Sequence, residues 1–136
     1  MSAAEIIRIE KDNTLSFGNY MLQHKAKVED FAFQGDVFKV KTYKIMTKLE
    51  KNGMFLYESV PGTSVTHFQE MGEGVSFQVE AAEDAQLTIG LAKQTAYEVK
   101  INGESIGTME TNLGGKLNVS VELAQAEKAT VDICKA

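Results

Sequence analysis

Asn102-Gly103 separates two segments in which apolar and polar side chains alternate, and it limits the fold more than any other dipeptide here. Both central residues of a two-residue type I′ turn need positive φ, and Asn-Gly accepts this at least cost. The pair predicts a tight β-hairpin. A two-residue loop would set Ile101 opposite Glu104, Val99 opposite Ile106 and Tyr97 opposite Thr108.

The surrounding stretch, Ala85 to Leu123, extends the pattern. Ala85, Leu87, Ile89 and Leu91 share one side of a period of two; so do Tyr97, Val99 and Ile101, and so do Leu117, Val119, Val121 and Leu123. Successive side chains of a strand point to opposite faces, so each strand has one dry and one wet face. That half-solvated pattern belongs to antiparallel sheets, because parallel strands buried on both faces read as unbroken apolar runs.

Upstream, Ile6–Glu10 and Thr14–Tyr20 read as strands joined by Lys11-Asp12-Asn13, with Gly18 marking a bulge. Lys27–Gln34, Val37–Tyr43, Met54–Val60, Val65–Gln69, Val75–Ala81 and Ala129–Cys134 follow, with Gly35-Asp36 as a turn. In the second of these, Phe38, Val40 and Thr42 point inward and Lys39 and Lys41 outward. Residues 44–51 are the only stretch with helical spacing, Ile45 and Leu49 being four apart; one or two helical turns, or a continued strand, are expected there. The predicted fold is all-β: a mainly antiparallel two-sheet β-sandwich of about eleven short strands, with a β-barrel as the alternative.

The 136 residues suit one domain. Pro61, the only proline, cannot donate to a sheet ladder and marks a sub-boundary near 61–62. Nine of the eleven aromatics precede it or follow within seven residues, so residues 1–60 form an aromatic-rich half and 63–136 an immunoglobulin-like one. Large side chains filling the core explain the bias better than an aromatic binding groove does.

Charge excludes some partners. A net charge of −5 argues against nucleic acid, which selects a basic field. The charge is uneven: residues 1–68 carry +1 and residues 69–136 carry −6, an asymmetry that could favour head-to-tail contacts. No apolar run approaches the roughly 18 residues of a membrane span. No basic segment followed by an apolar core opens the chain, so a cytoplasmic location is expected unless a leader has been removed.

Few residues suggest chemistry. His24 and His67 have no second histidine or cysteine at metal spacing, and Cys134 is the only cysteine. Gly72-Glu73-Gly74 lacks the third glycine of a dinucleotide loop and reads as a hairpin turn. Glu83-Asp84 falls in a turn, and Glu29-Asp30, adjacent on a strand, should point to opposite faces. No catalytic, cofactor-binding or metal-ligating residue is assigned, and no cofactor is expected.

Two resemblances add to this. The spacing of Leu91, Tyr97 and Val99 resembles the E–F corner of fibronectin type III and related sandwiches. It implies a buried Tyr97 ring beside Leu91, with the hydroxyl bonded to backbone a few residues upstream. The segments DNTLSFGNYML, VFKVKTYKIMTKLEKNGMFLYESVPGT and TNLGGKLNVSVEL resemble small proteins of anaerobic Gram-positive bacteria labelled endosialidase-like. Sialidase chemistry clamps a carboxylate with clustered arginines, whose planar fork alone is bidentate. This chain has one arginine, Arg8, no Ser-x-Asp-x-Gly-x-Thr-Trp box and no tryptophan.

The expectation is therefore a non-catalytic binding or self-assembly module, with a carbohydrate-active enzyme or its accessory domain as the alternative. A homo-oligomer is expected, with a protein or glycan partner and neither nucleic acid nor membrane. Sheet edges near Ile6–Glu10 and Ala129–Cys134 would carry the assembly. The structural residues are Leu91, Tyr97, Asn102 and Gly103.

Overall fold

A computed structural model describes residues 6–123 and 127–136. Its strands in chain order are β1 (Ile7–Ile9), β2 (Leu15–Phe17), β3 (Ala26–Phe33), β4 (Asp36–Thr42), β5 (Thr47–Lys51), β6 (Met54–Val60) and β7 (Ser64–Met71). Then come β8 (Gly74–Glu80), β9 (Ala85–Gly90), β10 (Ala96–Ile101), β11 (Glu104–Glu110), β12 (Lys116–Val121) and β13 (Lys128–Lys135). Among the described residues there is no helix.

All pairings are antiparallel, and they build the β-sandwich. One sheet has seven strands in the order β1-β2-β7-β8-β13-β10-β11, the other six in the order β12-β9-β6-β5-β4-β3. Strands from both sides of Pro61 share each sheet, through the β2–β7 and β6–β9 pairs.

The alternating segments face as their patterns predict. Leu117, Val119 and Val121 are buried while Lys116, Asn118 and Ser120 are exposed, and Phe38, Val40 and Thr42 point inward. Residues 44–51 take the strand alternative. Tyr43 to Met46 form a tight connection closed by the Tyr43 N–H on the Met46 carbonyl, and β5 follows. Ile45 is exposed and Leu49 buried, so the pair four apart shares no face.

Three hairpins turn on two residues with positive φ: Gln34-Gly35, Asn52-Gly53 and Asn102-Gly103. The first lies one residue before the expected Gly35-Asp36. Both Asn-Gly turns use the asparagine twice. The Asn102 N–H donates to the Thr130 carbonyl at 2.8 Å, and the Thr130 N–H donates to Asn102 Oδ1 at 2.9 Å. Asn52 makes the same pair of bonds with Val37, at 2.7 and 3.0 Å. Each amide side chain thus stands in for a strand carbonyl and extends the neighbouring ladder past its end.

Bulges correct the predicted register. Ile101 does face Glu104, but Val99 faces Gly107 and Tyr97 faces Met109. Ile106 is the extra residue, left 45 % exposed, and beyond it the strand is shifted by one. A second bulge falls at Glu29-Asp30, where Asp30 has φ 56° and both carboxylates are exposed rather than opposed. The expected edge at Ala129–Cys134 is also corrected: β13 lies between β8 and β10 and has no free side. The edges are β1, β11, β12 and β3.

Aromatics from both sides of Pro61 fill the core. Phe17, Phe68 and Phe77 from the seven-stranded sheet surround Tyr57 from the other, and Tyr57 meets Phe17 and Phe77 edge-on at centroid distances of 5.2 and 5.7 Å. Edge-to-face contact sets a positive ring edge on a negative face.

Above these rings runs a chain of buried hydroxyls. Tyr57 Oη and Ser59 Oγ each lie 2.8 Å from Thr63 Oγ1. Thr47 Oγ1 donates to the Thr63 carbonyl at 2.8 Å and accepts the Thr63 N–H at 3.0 Å. It also lies 2.7 Å from Thr42 Oγ1, which accepts the Asn19 N–H. A hydroxyl has one proton. Thr47 spends its proton on the Thr63 carbonyl, so Thr42 must be the donor between them. Burial raises the Tyr57 phenol above its usual range, so it stays protonated in the chain of hydroxyls.

Removing Thr47 Oγ1 strands three partners, while Tyr57→Phe strands part of one. Each buried group left bare costs about 1–3 kcal/mol. Thr47→Val should therefore destabilise the protein clearly more than Tyr57→Phe in urea unfolding. Equal losses would show that the network relaxes around Thr47.

Candidate functional site

Two clusters concentrate polar side chains. The first is a cleft at the end of the sandwich where the β5–β6, β7–β8, β9–β10 and β11–β12 connections gather. It encloses about 530 Å³. Lys51, Lys93, Lys116 and Lys135 line it, with Glu70 as the one carboxylate. Lys51 Nζ crosses from one sheet to the other and lies 3.0 and 3.1 Å from the two Glu70 oxygens. Lys116 Nζ stands 4.5 Å above the Phe55 ring, a cation–π contact. Buried Leu56 and Tyr97 form the base.

The β6 bulge makes this wall. Leu49 faces Tyr57, yet the next pair is Glu50 with Phe55, so Leu56 is the extra residue. Tyr57 turns into the core, and Phe55, which an unbroken period of two would set on the same face, is half-buried beneath Lys116 instead.

The β9–β10 connection, which carries Lys93, is held at both polar groups of Ala92. Its N–H donates to Tyr97 Oη at 3.1 Å, and its carbonyl accepts from Thr111 Oγ1 at 2.6 Å. Tyr97 is buried, and its hydroxyl bonds backbone five residues upstream. Leu91 is only partly buried; it packs against the core, and its N–H donates to the Gly115 carbonyl at 2.7 Å. Having accepted from Ala92, the Tyr97 hydroxyl keeps its own proton, and no acceptor among the described residues takes it. Asn112 Oδ1 accepts from the N–H groups of Gly114 and Lys116, both at 2.9 Å, and so shapes the facing wall. Gly72-Glu73-Gly74 is the β7–β8 turn at the rim.

The second cluster gathers Arg8, Glu10, Asp12, Thr14, Ser16 and His67, in the β1–β2 hairpin and a bulge of β7. His67 sits in that bulge with φ 54°. His67 Nδ1 lies 3.0 Å from Asp12 Oδ2 and 3.2 Å from Thr14 Oγ1, while Thr14 donates to Asp12 Oδ1. Buried Ser16 donates to Glu10 and accepts the His67 N–H at 3.3 Å, and Arg8 pairs with Glu10 at 3.0 Å. A Ser-His-Asp relay puts carboxylate and hydroxyl on opposite ring nitrogens. Here both meet Nδ1. The cluster fastens the hairpin to the bulge, and its one guanidinium is neutralised by Glu10.

The other sequence candidates stay apart. His24 is exposed, Cys134 is an exposed free thiol, and Asp84 Oδ1 caps the Leu123 N–H at 2.8 Å. Asn102-Gly103 forms the hairpin tip at the far end from the cleft. The cleft lysines went unrecognised because they come from four separate parts of the chain, the end of β5, the β9–β10 connection, the start of β12 and the end of β13. Their one common sign is that Lys51, Lys93 and Lys116 each stand within three residues of a turn.

Two outcomes follow. Tyr97→Phe should cost about 1 kcal/mol, the Ala92 N–H losing its acceptor, and Tyr97→Ala roughly 3–5 kcal/mol. A Phe variant as stable as wild type in urea would reduce Tyr97 to a packing residue. The Ser16 hydroxyl and then Arg8 hold the Glu10 carboxyl below its ordinary 4.5. Its contribution is therefore complete at neutral pH and is lost as pH falls below that value. Glu10→Gln should lower the urea midpoint at about pH 7 and leave a smaller deficit near pH 3. A deficit that does not shrink would exclude this linkage.

No family model, characterised protein or solved structure matches this chain.

Proposed function

We propose that this protein is a non-catalytic binding module whose ligand-taking surface is the end cleft and whose ligand is acidic. One observation carries the proposal. Residues 69–136 are net −6, yet three of their five lysines, Lys93, Lys116 and Lys135, border a single hollow and are joined there by Lys51. Lysines scattered for solubility would have no reason to converge. The Phe55 face, the Tyr97 hydroxyl proton and the clamped Ala92 peptide give the hollow stacking area, a donor and a fixed wall. General acid–base chemistry commonly pairs two titratable groups, and the cleft's one carboxylate is held at both oxygens by Lys51.

The second reading is a carbohydrate-active enzyme, favoured by the meeting of Arg8, Glu10, Asp12 and His67. It would place chemistry on the β1–β2 hairpin rather than in the cleft.

Fluorescent polyglutamate at low salt tests the first reading. Wild type should bind it, and Lys93→Gln/Lys135→Gln should weaken binding by about tenfold or more, some 1.4 kcal/mol. Binding that ignores both substitutions would sink the cleft as the site. Sialic-acid polymer should not be hydrolysed above a heat-killed control. Turnover that disappears in Asp12→Asn would establish the enzyme instead.

A further inference from the structure

We infer that the lysine cleft of one molecule receives the acidic end of a second copy, where the tip of the β10–β11 hairpin with Glu104 stands beside Glu122 and Glu127, so that the protein assembles head to tail. The inference rests on the binding-module reading and names its partner.

At the other end of the sandwich lies a second hollow of about 470 Å³, lined by Asn102, Glu104, Ile106, Ser120, Glu122 and Glu127. It has three carboxylates and no lysine. β10 and β12 connect the two ends. Tyr97 at the base of the cleft is the second residue of β10, and Ile101 ends the strand at the hairpin tip. Lys116 opens β12 in the cleft, and Ser120 reaches the acidic hollow, about 13 Å away at 3.3 Å per residue. The two hollows are therefore oppositely charged, lysine-rich at one end of β10 and β12 and carboxylate-rich at the other.

Shape and apolar surface agree with charge. The hairpin turns on two residues, so its tip is narrow, and the β11 bulge pushes Ile106 outward beside Glu104. The cleft end exposes Met54, Met71 and, in the β11–β12 turn, Leu113 at 75 %. Methionines suit an irregular apolar contact because they are flexible and polarisable. An acidic ligand with an apolar shoulder fits the cleft, and every copy of the chain carries one at its opposite end. The two surfaces differ, so the contact is heterologous and propagates into open chains or closes into rings. The charge pairing weakens as salt shortens the screening length, from about 10 Å at 0.1 M to about 3 Å at 1 M.

Sedimentation velocity on the full chain tests this over a concentration series, at about 0.05 M and about 1 M salt. At low salt the wild-type mass should climb past twice the 14.9 kDa monomer, and at high salt it should return to monomer. Lys93→Gln/Lys135→Gln removes cleft charge, and Glu104→Gln/Glu122→Gln removes charge from the acidic end; all four residues are exposed, so both variants should fold. Each alone should remain monomeric. An equimolar mixture retains one intact cleft and one intact tip, and should form a pair of twice the monomer mass and nothing larger. Variants that each assemble like wild type would overturn the inference in favour of pairing along the β12 edge. Wild type that remains monomeric while binding polyglutamate through Lys93 and Lys135 would overturn self-assembly and leave the binding module standing. Loss of both would overturn the two together.

Discussion

The Thr47 hydroxyl holds the two sheets in register. It belongs to the six-stranded sheet, and it binds both polar groups of Thr63, on the connection that carries the chain into the seven-stranded sheet. A crossing connection has no ladder of its own, so its buried N–H and carbonyl need partners from side chains. Thr47 supplies them, Thr42 completes Thr47, and Thr42 in turn holds the Asn19 backbone on the β2–β3 crossing. Two inter-sheet crossings are thus tied to one pair of threonines. Backbone packs so closely there that a Cβ at Gly62 would overlap the Tyr43 carbonyl oxygen, and one at Gly18 the Thr63 carbonyl oxygen. Neither glycine can be exchanged without moving backbone.

The opposite end is organised on the same principle with a different consequence. Tyr97 Oη and Thr111 Oγ1 satisfy the Ala92 peptide much as Thr47 satisfies Thr63. The Thr47 network is closed and buried. The Ala92 clamp leaves a hollow between the sheets with lysines on its rim and a phenol proton at its base. Both ends use side-chain hydroxyls to fix a crossing, but only one leaves donors unspent.

Much of this was legible in the chain. Strict alternation from Leu117 to Leu123 identified a strand with one buried face, and Asn102-Gly103 identified the β10–β11 hairpin, because both signals are local. What escaped were the bulges. The register slip at Ile106, the turning of Phe55 out of the core and the folding of Glu29-Asp30 to one exposed bend each insert one residue into a two-residue period. Such an insertion costs little locally and is settled by packing from the other sheet, which no short window records. Ala129–Cys134 was misplaced for a related reason: the end of a chain looks like the end of a sheet, whereas β13 is inserted between β8 and β10. The cleft was hidden most deeply, since residues 51, 93, 116 and 135 meet only after the sandwich closes.

The edges explain why association would run end to end rather than side by side. An unpaired strand invites another chain unless it is short, charged or bent. β1 has three residues. β3 is bent at Asp30 and carries Lys27 and Glu29. β11 is broken at Ile106 and bounded by Glu104 and Glu110. Only β12 presents a regular edge, six residues long with Lys116 at its head. Two β12 strands paired antiparallel would set Lys116 of each near the Ser120–Glu122 end of the other, so even that edge runs from the lysine cleft to the acidic hollow. The charges that could steer edge pairing are those that the two ends offer one another. Because the opposite charges sit at opposite ends of one strand, any contact that neutralises them brings unlike ends together.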